Sequence, residues 1–257
     1  MEVSTNDRAE RLHAAVSVTF EGWFSAVPEA SFERREGHAR LLFPSVPFRL
    51  FNGVVVESQR CSGIADSIRE IEERGLPCGV QVRAGRHPDV EEEAAELGLT
   101  EKTPMPGMTV SPDEFADVRV SALEIIRVED EDGLADAART TAGPLESMLA
   151  LYAPGVLRLE GNSVYVGRVD GETVTTAIGY QTGREVAIFS VATPPEHRRR
   201  GYGAAITAHA AREGFENGAD LAWLQSSTMA ESVYRALGFR QVETHFMLAR
   251  PREPVAL

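Results

Sequence analysis

The sequence predicts a mixed α/β fold, an α+β arrangement built on a mixed sheet, and three observations carry that prediction. Residues 119–250 switch between apolar period two and period 3.6 in the order strand, two helices, three strands, helix, strand, helix, strand. Asp170-Gly171 stands between two alternating runs, the signature of a two-residue hairpin. The stretch "HRRRGYGAAITAHAAREG", residues 197–214, sets three arginines and two spaced glycines directly ahead of an alanine-rich helix.

Taken in order, "SALEIIRV" reads as a strand, and "DEDGLADAARTTAGPLESMLALYA" reads as two short helices divided at Gly143-Pro144. "SVYVGRV" and "ETVTTAIGY" form the hairpin, and "TGR" turns the chain into a third antiparallel strand, "EVAIFSVAT". The helix over roughly 203–216 is dominated by Ala204, Ala205, Ala208, Ala210 and Ala211, so it can lie close against a sheet. "ADLAWLQSS" supplies another strand. "TMAESVYRALGF" then places Ala230, Val233, Tyr234 and Leu237 on one helical stripe closed by Gly238, and "RQVETHFMLAR" is the last strand.

Upstream, "TPMPGMTVSPDEFADV" (103–118) carries three prolines and a glycine, as a boundary or a strand followed by a linker would, and the expected cut lies near residue 115. This gives domains of 1–115 and 116–257. In the first, "GLPCGVQVRAGRHPDVEEEAAELGLTEK" lies without a gap against "GADLAWLQSSTMAESVYRALGFRQV" when Leu97-Gly98-Leu99 is matched to Leu237-Gly238-Phe239. "LFNGVVVES" and "CSGIADSIREIEERG" likewise resemble the strand and helix that flank the arginines. A chance match of strand-helix-strand patterns remains the competing reading.

Composition narrows the function. Hydrophobic residues make up 43% and charged residues 25%, as in a soluble globular protein, and the formal net charge is −13. Both parts are acidic, with 12 basic and 20 acidic residues in 1–115 and 14 and 19 in 116–257, so neither offers the broad basic face that nucleic acid requires. An acidic surface draws cationic substrates or simply maintains solubility. Cys61 and Cys78 form no framework and no CxxC pair, and the N-terminus has no basic and then apolar segment, so the expectation is a cytoplasmic protein with no membrane span. The six histidines show no HxxxH or HExxH spacing, and no metal is expected.

Glycines at 201 and 203 let successive amides converge where a helix N-terminus already offers unpaired N–H groups and the positive end of its dipole, which together make an anion site. The pattern lacks the third glycine of a dinucleotide fingerprint and the Gly-Lys-Ser/Thr of a P-loop. The loop alone also fits an exposed helix start with incidental arginines.

Residues 185–239 closely resemble the GNAT superfamily of acyl-CoA-dependent N-acetyltransferases, and a weaker likeness extends over 119–250. Arg198, Gly201 and Gly203 match the family's [Q/R]xxGx[G/A] loop, and Tyr234, Gly238 and Phe239 match its YxxxGF pattern. The resemblance implies the GNAT fold for the C-terminal domain and, if the internal match is real, a tandem protein whose N-terminal copy has lost RxxGxG and carries Ala94 in place of Tyr234. It further implies that the amides of Arg199, Arg200, Gly201, Tyr202, Gly203 and Ala204 cradle the pyrophosphate of acetyl-CoA, the co-substrate. The backbone of Val191, Ala192 and Thr193 would pair with the pantetheine arm, and Tyr234 would protonate the departing thiolate. Tyr234 on an apolar helix face could instead be a packing residue. Some members place a glutamate base in this strand. The aligned position here is Ala187, and Glu185 on the same strand face is the candidate, unless it merely flanks the turn. The expected activity is acetyl transfer to a small-molecule or peptide amine by a monomer or homodimer, with no nucleic acid or membrane partner. The alternative is a non-catalytic acyl-CoA sensor.

Overall fold

The computed structural model describes residues 4–251. In chain order the elements are α1 (Thr5–Ser25), β1 (Ser31–Arg34), β2 (His38–Leu42), β3 (Gly53–Val56), α2 (Ile64–Glu72), β4 (Gly79–Arg83), α3 (Pro88–Glu96), β5 (Glu101–Val110) and β6 (Glu124–Arg127). Next come α4 (Glu131–Thr140), α5 (Leu145–Leu151), β7 (Asn162–Val169), β8 (Glu172–Thr182), β9 (Glu185–Ala192), α6 (Tyr202–Glu216), β10 (Leu221–Gln225), α7 (Glu231–Ala236) and β11 (Arg240–Ala249).

The chain forms two compact units, Met1–Pro28 with Pro106–Val242 and Glu29–Met105 with Glu243–Leu257. A single cut near residue 115 does not coincide with this division, for two physical reasons. First, α1 belongs to the larger unit. Arg11 reaches both Glu185, at 2.7 Å, and Asp220, and the Trp23 ring meets Phe189 edge-on at 4.9 Å. Burial pulls the Asp220 carboxyl upward, but hydrogen bonds from Arg11 and Arg184 outweigh it and hold the group below its ordinary value. Second, β5 and β11 each pass from one unit to the other. The end of β5 pairs with β10 through Ala222↔Val110 to Gln225↔Gly107, and β11 pairs with β4 through His245↔Arg83 to Ala249↔Gly79.

In the larger unit the strand order is β6-β7-β8-β9-β10-β5, antiparallel except for β9 and β10. The β7–β8 hairpin turns on Asp170 and Gly171, both at positive φ (51° and 82°), as a type I′ turn demands. Asp130 caps α4 by accepting from the Gly133 amide at 2.8 Å. The small residues of α6 do bring it close to the sheet. Ala205, Ala208, Ala210 and Ala211 are buried, and a β-carbon at Gly214 would come within 2.6 Å of Val186 Cγ1.

In the smaller unit β1, β2, β3, β4 and β11 lie side by side, with β3 and β4 the parallel pair. Val54, Val56, Val80 and Val82 pack against Ile64, Ile68 and Ile71 of α2 and Leu99 after α3. The same device ends α3 and α7. Gly98 (φ 81°) and Gly238 (φ 92°) take the left-handed position, and the next amide reaches back over the last turn, Leu99 N to Ala94 O at 2.9 Å and Phe239 N to Tyr234 O at 3.1 Å.

The surroundings of the two glycines differ, which gives a direct check. A β-carbon at Gly238 would lie 2.1 Å from the Glu114 carbonyl oxygen, whereas at Gly98 it would meet the movable end of Arg250. Gly238→Ala should therefore lower unfolding stability by about 2 kcal/mol or more, and Gly98→Ala by about 1 kcal/mol, in urea unfolding followed by circular dichroism. Equal losses would mean that the Glu114 contact is not what fixes the end of α7.

Candidate active site

The site begins with an interrupted ladder. Parallel pairing of β9 with β10 runs from Glu185↔Leu221 to Ala187↔Trp223 and stops, although β9 continues to Ala192 and β10 to Gln225. On its other side β9 stays bonded to β8, but with a shift: Phe189 opposes Ile178 and Ala192 opposes Thr176. One extra residue is thus fitted into β9, and Ser190, at φ 51°, absorbs it. A bulge increases twist and turns the strand out of the plane of its neighbour. Among the described residues β9 has no strand partner on the β10 side from Ile188 onward, so its edge groups there can bond something else. Val191, Ala192 and Thr193 are half-buried at this opening, braced by Thr175 Oγ1, which donates to Ala192 O at 2.8 Å.

The glycine loop comes immediately afterwards. Beyond a 3-10 turn, Pro195–His197, the Arg198 guanidinium donates from Nε to Thr193 O at 2.9 Å, so this arginine holds the loop's shape. Arg199 (φ 60°) and Gly201 (φ 82°) are left-handed, and the first helical bond, Ala205 N to Gly201 O at 2.9 Å, forms only after them. The backbone amides of Arg199, Arg200, Gly201, Tyr202, Gly203 and Ala204 make no hydrogen bond with any described residue. Six successive donors thus stand unpaired at the N-terminus of a 15-residue helix, where the dipole adds positive potential. A β-carbon at Gly203 would touch only Thr193 Oγ1, at 3.5 Å, so the protein itself leaves room there. Arg198, Arg199 and Arg200 are exposed, and Tyr202 is buried beneath the loop.

Tyr234 is 9% exposed and belongs to the same apolar cluster as Val191 and Ala204. Its hydroxyl has no hydrogen bond to a described residue, and burial pushes its pKa up to about 12, so it is protonated at neutral pH. Val233, expected on the same stripe, is exposed, whereas Tyr234 and Leu237 turn inward and Ala230 packs, partly buried, against the same cluster. Glu185 is not brought to this group. It opens β9 at the end away from the loop, about 20 Å from Val191 by strand rise, and is held by Arg11. His197 lies 3.4 Å from Glu172 rather than in the opening. The bulge at Ser190 had no signal in the sequence, since its cause is the pairing on both sides of β9.

The corresponding place in the smaller unit is built differently. There β3 and β4 remain paired from Gly53↔Gly79 to Val55↔Gln81, and β3 ends one residue later. At the start of α2 the Ala65 amide donates to the carboxylate of Glu93 on α3, at 3.1 Å, and the Ser62 amide donates to Glu36 O. The protein supplies its own anion at this helix start.

Among the described residues there is no cluster of His, Cys, Asp or Glu able to hold a metal ion, and no helix long and apolar enough to cross a membrane. No curated protein sequence matches the chain. Residues 132–239 match the sequence model of the Acetyltransferase (GNAT) family. In structure the chain is similar to a GCN5-related N-acetyltransferase from Kribbella flavida, at 20% identity and TM-score 0.70 over 95% of this chain and 96% of that one. It is also similar to a tandem GNAT protein from the clavulanic acid biosynthesis pathway, at 14% identity and TM-score 0.61 over 98% of both chains. A third, a GCN5-related N-acetyltransferase from Sphaerobacter thermophilus, has 16% identity and TM-score 0.59 over 87% of this chain and 84% of that one. At such identities the likeness is one of fold: the chain has a mixed α/β fold shared with GNAT proteins, and residues 132–239 are the part that matches the family's sequence model.

Proposed function

We propose that this chain is an acetyl-CoA-dependent N-acetyltransferase that moves the acetyl group to a primary amine by direct attack on the thioester. The observation that carries the reading is the run of six unpaired amides from Arg199 to Ala204, set beside the free edge of β9. A small, doubly charged pyrophosphate matches that run, with Arg199 and Arg200 adding local positive charge to an otherwise acidic protein. The pantetheine arm would extend along Val191, Ala192 and Thr193, where the parted strands leave edge groups to pair with it. The missing β-carbon at Gly203 keeps the approach to the amides open.

In this reading a neutral amine attacks the thioester carbon, a C–N bond forms and the C–S bond breaks. Tyr234 gives its proton to the departing sulfur and recovers one from solvent, while the proton shed by nitrogen leaves to water. Its raised pKa suits an acid that must stay protonated until sulfur carries charge. Glu185, engaged by Arg11, is better fitted to holding α1 than to taking a proton, so the acceptor enters as the neutral amine.

The smaller unit reads as a worn copy of the same design. Its β3, α2, β4 and α3 repeat the connectivity of β9, α6, β10 and α7, and its Gly98 closure repeats that at Gly238. Its parallel strands stay paired, and Glu93 takes the Ala65 amide at the start of α2.

Gly203→Val should leave the circular dichroism spectrum unchanged and weaken acetyl-CoA binding at least about ten-fold in calorimetry, the loss of one or two hydrogen bonds to a charged group. Unchanged affinity would remove the anion-site assignment. Titration of the wild-type chain should saturate at one acetyl-CoA, and saturation at two would show that the α2 start also binds. Tyr234→Phe keeps the ring and its contact with Phe239, so the Michaelis constant for acetyl-CoA should hold while kcat falls about 10²-fold. Turnover at the wild-type rate would make Tyr234 a packing residue. Tight acetyl-CoA binding with no turnover over a broad set of amines would favour the sensor.

A further inference from the structure

Ser190 holds the conformation on which the opening in β9 depends, and a residue with a side chain does not take it readily. In the left-handed region the β-carbon crowds the following carbonyl oxygen, which disfavours any residue but glycine about ten-fold. Among the described residues of the larger unit, Asp170 and Arg199 are also left-handed, but they sit in the hairpin turn and the glycine loop, whereas Ser190 lies inside a strand. Ladder partners fix the residues around it, Phe189 opposite Ile178 and Ala192 opposite Thr176, but no ladder pair includes Ser190 itself. Its conformation needs an anchor from outside the ladder.

The helix layer on the sheet face opposite α6 supplies one. Ala177 goes to the core under α6, so its neighbour Thr176 points the other way, toward α4, which packs on β8. Tyr152, the residue that ends α5, is 2% exposed. Its hydroxyl stands 3.0 Å from Thr141 Oγ1 at the end of α4 and also engages the hydroxyls of Thr176 and Ser190. Each of these four hydroxyls has one proton to give, and where the protons go sets the direction of the cluster. Thr141 Oγ1 donates to Ala137 O at 3.0 Å, and Thr176 Oγ1 donates to Tyr165 O at 2.9 Å. With its proton so engaged, each threonine can only accept from the phenol. Tyr152 therefore donates to Thr141, and its oxygen is left as the acceptor for the Ser190 hydroxyl. Burial keeps the phenol neutral by pushing its pKa upward against the pull of the three hydroxyls. The chain of donors runs from Ser190 into Tyr152, on to Thr141 and into the backbone of α4.

We propose that Tyr152 is a positioning residue for the cofactor: its phenol oxygen takes the Ser190 hydroxyl, keeps Ser190 left-handed and thereby holds β9 apart from β10. The inference rests on the acetyl-CoA reading for what the opening binds and on the hydroxyl directions for what holds it open. Tyr152 has no contact with the cofactor in this account and acts only through Ser190. Without the phenol oxygen Ser190 can relax to the extended conformation, and the extra residue is no longer absorbed at the point where β9 leaves its neighbour.

Two measurements on the full chain test this. In the protein without ligand, the nuclear Overhauser effect between the amide and Hα protons of Ser190 should be strong, because positive φ brings them together, and should weaken in Tyr152→Phe. In calorimetry, Tyr152→Phe should lower acetyl-CoA affinity about three- to ten-fold, the effect of one neutral hydrogen bond. Ser190→Ala loses the hydroxyl but keeps the β-carbon and should lose a similar factor, whereas Ser190→Gly loses both and should bind more tightly than Ser190→Ala. In the Ser190→Gly background, where glycine takes the conformation without help, Tyr152→Phe should change the affinity less than about two-fold. An Overhauser effect that stays strong in Tyr152→Phe, or the same loss of affinity from Tyr152→Phe in both backgrounds, would overturn the proposal and leave Tyr152 as a packing residue. If Tyr152→Phe does not fold, the comparison at position 190 decides, and equal affinities of the alanine and glycine variants would overturn it. A wild-type chain that does not bind acetyl-CoA would remove the cofactor reading, and the Overhauser effect in Tyr152→Phe would then decide alone whether Tyr152 holds Ser190.

Discussion

The site depends on β9 being unable to stay paired with β10 beyond Ala187. Ser190 takes a left-handed conformation to fit an extra residue opposite β8, and the resulting twist carries the rest of the strand away from its parallel neighbour. That separation dictates the rest of the site. The chain leaves Ala192 beside an open edge, the loop braced by Arg198 crosses to α6, and the close approach of Gly214 to Val186 fixes the angle at which the helix meets the sheet. The helix start, with its six unpaired amides, is thereby set next to the opening. Tyr234 joins the same apolar cluster because Gly238 stops α7 after six residues.

The smaller unit shows how little has to change for such a place to close. Its parallel strands stay together, and a single carboxylate, Glu93, occupies the amide at the start of α2 that an external anion would otherwise take. Unpaired helix-start amides are costly when buried, so a loop that has no ligand to satisfy them is better served by an internal acceptor. On the proposed reading, the difference between a binding loop and a structural one rests on who supplies the negative charge.

The features legible in the sequence were those fixed by local stereochemistry. Asp170-Gly171 could only be a turn with both residues left-handed, Gly238 could only close a helix, and the spaced glycines ahead of the alanine-rich helix announced a backbone that needs to be approached closely. The features that escaped were set by partners far away in sequence. The run 240–249 is a good strand whichever sheet it joins, so nothing in it says that its last residues pair with β4. Glu185 lies on the expected strand face, but Arg11, 174 residues away, decides what that carboxylate does. The N-terminal helix has its apolar residues at Leu12, Val16 and Trp23 among many polar ones, and its place against Phe189 exists only once the sheet does.

The central claim is that the amides of Arg199 to Ala204 bind the pyrophosphate, and backbone amide resonances test it most directly. Coenzyme A should shift these amides downfield in a saturable way, while pantetheine, which lacks the pyrophosphate, should leave them in place. Amides that stay in place as coenzyme A binds, or that move equally with pantetheine, would contradict the account.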